Sequence, residues 1–253
     1  MSVNVPSNTP ASPESREDAT GEPRTKGEPA SSAVPPDTSP AEHDLSPLRS
    51  GRAWAILLGV TVLGLVIDLA TKYWAFGTLA GDPVQVSREA VLAARGRLGG
   101  LIPYHEPTVV VPYLLELKLV LNPGAVFGMG AGKRWFFVSF TIAAVGFVLW
   151  LFSTWTRARD AWLHAAMGLI LAGGIGNLYD RLKFACVRDF LHPLPGVELP
   201  FGWRLPWGGT EIWPYVSNVA DAFLLIGIGI LIMVTWRRGE PARVAPAGPS
   251  RAG

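Results

Sequence analysis

The stretch WFFVSFTIAAVGFVLWLF, Trp135–Phe152, carries no charged residue. As a helix rising 1.5 Å per residue it covers about 27 Å, close to the hydrocarbon thickness of a bilayer. A soluble helix turns a charged or strongly polar face to water. This one has no such face, so it reads as the heart of a membrane span from about Trp135 to Trp155. Working outward, three more runs share its length and character: about Trp54 to Phe76, Trp162 to Asp180 and Val219 to Trp236. Trp or Tyr stands near both ends of each span: Trp54 and Trp74, Trp135 and Trp155, Trp162 and Tyr179, Tyr215 and Trp236. Rings at those positions suit the interfacial belts of a bilayer. The expected fold class is membrane all-α, with four transmembrane helices.

The connections differ sharply. Thr156 to Ala161 is short and basic, so the second and third spans form an antiparallel hairpin. Gly77 to Arg134 is long. It holds the valine run Val109–Val111 and the alternating run Leu115-Glu116-Leu117-Lys118-Leu119. Alternation of that kind predicts short strands, a small β element lying outside the membrane. Arg181 to Ser217 is rich in Pro, Gly and Trp and reads as loop.

Outside the spans the chain is polar. Residues 1–50 hold nine of the 22 prolines and no Phe, Trp or Tyr. Such a stretch buries too little apolar surface to offset the entropy of ordering. It reads as a disordered tail, and residues 239–253 as a second one, leaving 51–238 as the membrane domain. The first fifty residues lack the apolar core of a signal peptide, so the first span serves as the uncleaved signal. The net charge of +2 and the lack of a basic patch with interleaved aromatics argue against nucleic acid as a partner. Cys186 is the one cysteine, which excludes an intrachain disulfide and a Cys-rich metal site. Arginines in the tail, the short link and the C-terminus mildly favour both termini inside.

Four spans fix which helix ends share a face. Asp68 lies fourteen residues after Trp54, about 21 Å along the first helix. Asn177 and Asp180 end the third span, and Asn218 and Asp221 begin the fourth. Asn122 and Asp189 lie in the two long connections on that same side. Ionisable groups at membrane depth are expensive and usually functional. Asn177/Asp180 and Asn218/Asp221 are each spaced i, i+3, on one helix face. For Asn218 and Asp221 a plain N-terminal cap is an equal reading; for Asn177 and Asp180 it is an interfacial anchor with Arg181 snorkelling. The glycines Gly173, Gly174 and Gly176 allow a close neighbour, which would draw Asn177 and Asp180 into the bundle interior.

At these residues the chain resembles the lipoprotein signal peptidase (signal peptidase II) family. The matching blocks are Asp68-Leu69-Ala70-Thr71-Lys72, Asn122-Pro123-Gly124-Ala125-Val126-Phe127, Gly173 to Arg181, Val187-Arg188-Asp189-Phe190 and Asn218-Val219-Ala220-Asp221. The resemblance covers about residues 53–238. It implies a four-helix aspartyl endopeptidase of the bacterial inner membrane, with termini cytoplasmic and active site near the outer face. The implied substrates are diacylglyceryl-modified prolipoproteins, cut just before the lipidated cysteine. The implied catalytic pair is Asp189 and Asp221, supported by Asp68, Asn122, Gly124, Asn177, Asp180, Arg181 and Asn218. No cofactor and no metal are implied, membrane lipids are the surroundings, and a monomer is expected. The chain departs from the family pattern at Arg188, Ala185, Val126 and Ser217, in a long insert before Asp221 and in its N-terminal extension.

Two carboxylates that hydrolyse a peptide must share one proton, since like charges a few ångströms apart do not both ionise. One then activates water and the other donates to the scissile carbonyl. On this reading Asn122, Asn177 and Asn218 serve as donors to substrate, Arg181 pairs with Asp180 or a lipid phosphate, and Arg188 points away from Asp189. The valine-rich strands and the Trp-rich insert form a lid over the groove. His192 reads as a surface-loop histidine, His164 as interfacial on the opposite side, Cys186 as a packing residue, and Glu116 with Lys118 as a solvated strand face. Rival classes fit less well. A transporter needs acids running through the bilayer, and these cluster at one face. A metal hydrolase needs a donor motif such as H-E-x-x-H, and none is present. A scaffold explains neither Asn-x-x-Asp pair.

Overall fold

The computed structural model describes residues 46–124, 134–205 and 209–239. The expected tails, Ala125, Val126 and Phe127 of the second block, and residues 206–208 of the insert lie outside the described residues, apart from the tail ends at 46–50 and 239.

Four long helices are present: α1 (Gly51–Thr78), α3 (Arg134–Trp155), α4 (Ala161–Phe184) and α5 (Val219–Gly239). All four are long and apolar enough to cross a membrane, so the chain is a multi-pass membrane protein. Their bounds extend the expected spans by a few residues. The largest extension is at the end of α4, which runs past Asp180 to Phe184 and keeps Arg181 and Lys183 helical. A short helix α2 (Arg88–Ala93) lies in the first long connection. It was not expected, although Ser87 caps it by accepting the Ala90 N–H at 3.3 Å.

The central helix is α4. It packs against α1, α3 and α5, and 56% of its most apolar stretch is buried, against 11% for α5. A helix surrounded by protein has no need of a lipid-facing apolar surface, which is why α4 carries Gly, Ala, His, Asn and Asp where the other spans carry Leu, Ile and Phe. A side chain at Gly173 would collide with the Ala220 carbonyl oxygen of α5, and one at Gly176 with the Asp68 carboxylate of α1. The glycine run therefore does bring α4 against its neighbours, on two sides at once.

A three-stranded antiparallel sheet, β1 (Thr108–Val111), β2 (Leu115–Asn122) and β3 (Val187–Pro193), lies outside the spans with order β1-β2-β3. The two expected strands are β1 and β2. Along β2 Leu117, Leu119 and Leu121 are buried, against Phe76, Val91, Leu98, Cys186 and Phe190. The third strand, β3, was read as loop. Its register pairs Val120 with Asp189, Leu121 with Arg188 and Asn122 with Val187. Alternation then sends Asp189 and Arg188 to opposite faces. Ser217 adds a bridge to β3: its N–H donates to the Leu191 carbonyl at 2.7 Å, and the Leu191 N–H returns to Ser217 at 2.8 Å. That bridge fastens the start of α5 to β3.

Candidate active site

The end of α4, the start of α5, β3 and the end of β2 converge at one end of the bundle. The bridge at Ser217 brings Asp189 of β3 beside the first turn of α5, where Asp221 stands. Asp189 is almost fully buried, with 1% of its surface exposed. Its Oδ1 accepts from Asn218 Nδ2 at 2.6 Å and its Oδ2 from Asn122 Nδ2 at 3.0 Å. Asp221 Oδ1 accepts from Asn177 Nδ2 at 2.7 Å. Asn218 Nδ2 also donates to Asn177 Oδ1 at 3.1 Å. The three asparagines thus form a continuous hydrogen-bonded frame around the two carboxylates. Each asparagine gives one of its two amide hydrogens to an acid, and Asn218 gives its other to Asn177.

The capping reading of the Asn218/Asp221 pair holds. Asn218 Oδ1 accepts from the Asp221 N–H, and the Asn218 N–H donates to Asp221 Oδ2, each at 3.2 Å. This is a reciprocal capping box. It fixes the rotamer of Asp221 and places its carboxylate at the positive end of α5. Gly124 has a local part. Its N–H donates to Asn122 Oδ1 at 2.9 Å, orienting that amide so that Nδ2 faces Asp189. Its φ of +93° suits glycine, and a side chain there would strike the Phe137 ring.

The Asp189 carboxyl is pushed up to about 7, by burial first and by the charge of Asp221 second; hydrogen bonds from Asn218 and Asn122 and the charge of Lys72 oppose the rise.

Beneath the pair lies a second cluster. Lys72 Nζ, fully buried, donates to Asp68 Oδ2 at 2.9 Å and Asn177 Oδ1 at 3.0 Å, and lies 3.5 Å from Asp180 Oδ2. Asp68 Oδ1 accepts the Ala220 N–H at 3.0 Å. Asp180 accepts from Arg188 through Nη2 at 2.8 Å and the backbone N–H at 3.0 Å. Arg188 therefore turns away from Asp189, as expected. The expected Arg181–Asp180 pair is not formed, because Arg188 holds that carboxylate. Arg181 instead donates to the Asn177 carbonyl at 3.2 Å and lies 5.3 Å over the Phe137 ring, within electrostatic reach of Asp221, Asp189 and Asp180. Lys72 was quoted but given no role; its signal was its place one turn after an intramembrane acid.

The remaining expectations divide. Cys186 is buried and its thiol is pushed up to about 12, mainly by burial, so it is inert packing. His192 is no loop residue: it sits on β3 and pairs with Glu116 of β2 at 2.7 Å. Glu116 is thus engaged, while Lys118 is exposed as expected. His164 stands near the opposite end of the bundle but is fully buried, 3.2 Å from Thr156 Oγ1.

Fold and site together place the chain in a class, the integral-membrane peptidases of aspartic type. The family model for signal peptidase (SPase) II matches residues 60–237. The chain belongs to that family. A lipoprotein signal peptidase of Desulfitobacterium hafniense is 33% identical over 130 residues, 51% of this chain and 74% of that protein. One from Syntrophotalea carbinolica is 34% identical over 148 residues, 57% of this chain and 83% of its own length. One from Streptococcus pyogenes is 27% identical over 179 residues, 71% of this chain and 91% of its own. Two solved bacterial membrane enzymes share the fold. One has a TM-score of 0.53 at 21% identity, covering 81% of this chain and 98% of its own. The other has 0.51 at 22%, covering 77% and 96%.

Proposed function

We propose that Asp189 and Asp221 are the catalytic pair, and that they cut diacylglyceryl-modified prolipoproteins just before the lipidated cysteine. The observation that carries this reading is the environment of Asp189: buried, held by amides, and raised to about 7 beside Asp221. A carboxyl that keeps its proton near neutral pH donates to the scissile carbonyl oxygen. Asp221, at a helix N-terminus and receiving two N–H donors, is the better placed to stay ionised and take the proton from attacking water. As the tetrahedral intermediate collapses, the proton gained by Asp221 passes to the leaving amine, and the diol hydroxyl returns its proton to Asp189 as the carboxylic acid product forms.

Membrane depth fits a substrate whose scissile bond is next to a lipid anchor. Arg181, facing the pair with Nε unpartnered among the described residues, supplies a cation to substrate carbonyl or lipid phosphate. The exposed Val109, Val110 and Val111 of β1 and the exposed Phe201 and Trp203 of the insert form the apolar cover of the groove. We place the enzyme in the bacterial inner membrane as a monomer, termini cytoplasmic and the pair near the outer face. A metal-dependent reading is disfavoured, because Asp68 and Asp180 are already neutralised by Lys72 and Arg188.

The test is cleavage of a diacylglyceryl-modified lipobox peptide by purified protein in detergent, with Asp221→Asn and Asp189→Asn beside the wild type. Cleavage just before the lipidated cysteine, abolished in both variants and indifferent to chelator, is the expected result. Near-wild-type cleavage by either variant at equal protein level sinks the pair.

A further inference from the structure

The end of the bundle opposite the carboxylate pair has a cavity that this reaction leaves unused. Its volume is about 660 Å³, and it is lined by Trp155, Arg157, Arg159, Asp160 and Arg238. The walls come from two places: the link between α3 and α4, and the last turn of α5. Three arginines and one aspartate give the lining a net charge of +2 (3 − 1). The one acid is already engaged. Asp160 Oδ2 accepts the Arg157 backbone N–H at 2.8 Å, and its Oδ1 pairs with Arg238 Nη2 at 2.5 Å. Arg238 also lies 6.0 Å over the Trp155 ring. That set fixes the end of α5 against the start of α4 and keeps the cavity walls together. Arg157 and Arg159 are exposed on the adjoining wall.

We propose that this cavity binds the phosphate group of an anionic phospholipid from the surrounding leaflet. A guanidinium presents a planar fork of N–H donors that matches phosphate oxygens two at a time, and here such forks come from two separate elements. Trp155 ends a membrane span, which puts the cavity at headgroup level. Basic pockets between transmembrane helices are where phospholipid headgroups seat. The ligand has work to do there. With 11% of its most apolar stretch buried, α5 is the span most exposed to lipid, and it carries Asp221 at its other end. A headgroup joining Arg157 and Arg159 to Arg238 reinforces the Asp160–Arg238 tie between α5 and α4 and steadies the helix that presents Asp221.

The experiment uses the full chain in nanodiscs of mixed phosphatidylglycerol and phosphatidylcholine, with retained lipid read by native mass spectrometry. Wild type is compared with the double variant Arg157→Gln/Arg159→Gln and with Arg237→Gln, an exposed arginine that does not line the cavity. Wild type should retain phosphatidylglycerol over phosphatidylcholine. The double variant should retain it about thirty-fold more weakly, at about tenfold per 1.4 kcal/mol and about 1 kcal/mol per cation. Arg237→Gln should match wild type. Peptidase activity of each variant in phosphatidylcholine alone checks folding. Equal loss in Arg237→Gln means diffuse charge and overturns the site, as does unchanged retention in the double variant. A thermal shift caused by inorganic phosphate in phosphatidylcholine nanodiscs, absent in the double variant, assigns the cavity to free phosphate and overturns the lipid source.

Discussion

Two clusters of carboxylates lie at the same end of this bundle, one above the other, and they are held in opposite ways. In the lower, Asp68 and Asp180 face Lys72 and Arg188, two acids against two cations. In the upper, Asp189 and Asp221 are held by Asn122, Asn177 and Asn218, with Arg181 within electrostatic reach. An ion pair in low dielectric fixes the charged state of both partners. Amides satisfy oxygens without supplying charge, so they leave a pair of acids free to settle on one proton. The lower cluster is therefore built for position and the upper for proton transfer. Asn177 joins them, accepting from Lys72 below and donating to Asp221 above.

The largest effect separates the two by function. Replacing either Asp189 or Asp221 with Asn removes the shared proton while keeping shape, and should lower the cleavage rate by about 10³-fold or more. Thermal stability should hold or rise. The complementary break is Lys72→Met, which leaves Asp68 and Asp180 buried without their shared cation. It should cost about 3–5 kcal/mol of stability, read by thermal unfolding in detergent, with partial recovery in Lys72→Met/Asp68→Asn. A Lys72→Met protein as stable as wild type but inactive would put the lower cluster into the chemistry and erase the contrast.

A smaller effect sharpens it. The folded pKa of Asp189 is raised from 3.8 to about 7, so the folded state holds this proton more tightly than the unfolded chain does. Its contribution to stability is complete below about 4, as an unfolded carboxyl titrates there, and is lost as pH rises through about 7. The melting temperature of wild type should fall across that window, and Asp189→Asn should flatten the fall. Activity should decline on the same alkaline limb, as the pair loses the shared proton. A wild-type melting temperature that rises across the window would show that Asp189 is paired as the lower acids are.

How much of this was readable in the sequence follows the same division. The four spans were legible because lipid demands uninterrupted apolar length, and nothing else does so over twenty residues. The strand β2 was legible because one face is buried and the other is not. The third strand escaped because Val187, Arg188, Asp189 and Phe190 are all buried, which destroys alternation, and because two of the four are charged. Convergence of Asn122, Asn177, Asn218, Asp189 and Asp221 followed from counting spans. Their hydrogen-bond directions did not, because spacing places a side chain without aiming it. Arg181 was given its sequence neighbour Asp180 or a lipid phosphate as partner; the αL turn at Ala185 brings Arg188 back to that acid instead.

That turn supplies the smallest expected effect, and it lies between the two clusters. Ala185 has φ 64° and ψ 7°, a left-handed conformation in which a Cβ costs about 1–2 kcal/mol. Glycine at the helix terminus avoids that cost. Two terms oppose the exchange: the Ala185 methyl is buried with 7% exposure among Phe76, Leu121 and Phe190, worth about 0.8 kcal/mol, and glycine loses about 0.5–1 kcal/mol more backbone entropy. The terms nearly cancel, so Ala185→Gly should change stability by less than about 1 kcal/mol, measured by thermal unfolding, and leave the pH profile of cleavage unmoved. A profile shifted at unchanged stability would mean that the strained turn sets the seat of Asp189, and that the ion-paired cluster reaches the proton-sharing one through the backbone as well as through Asn177.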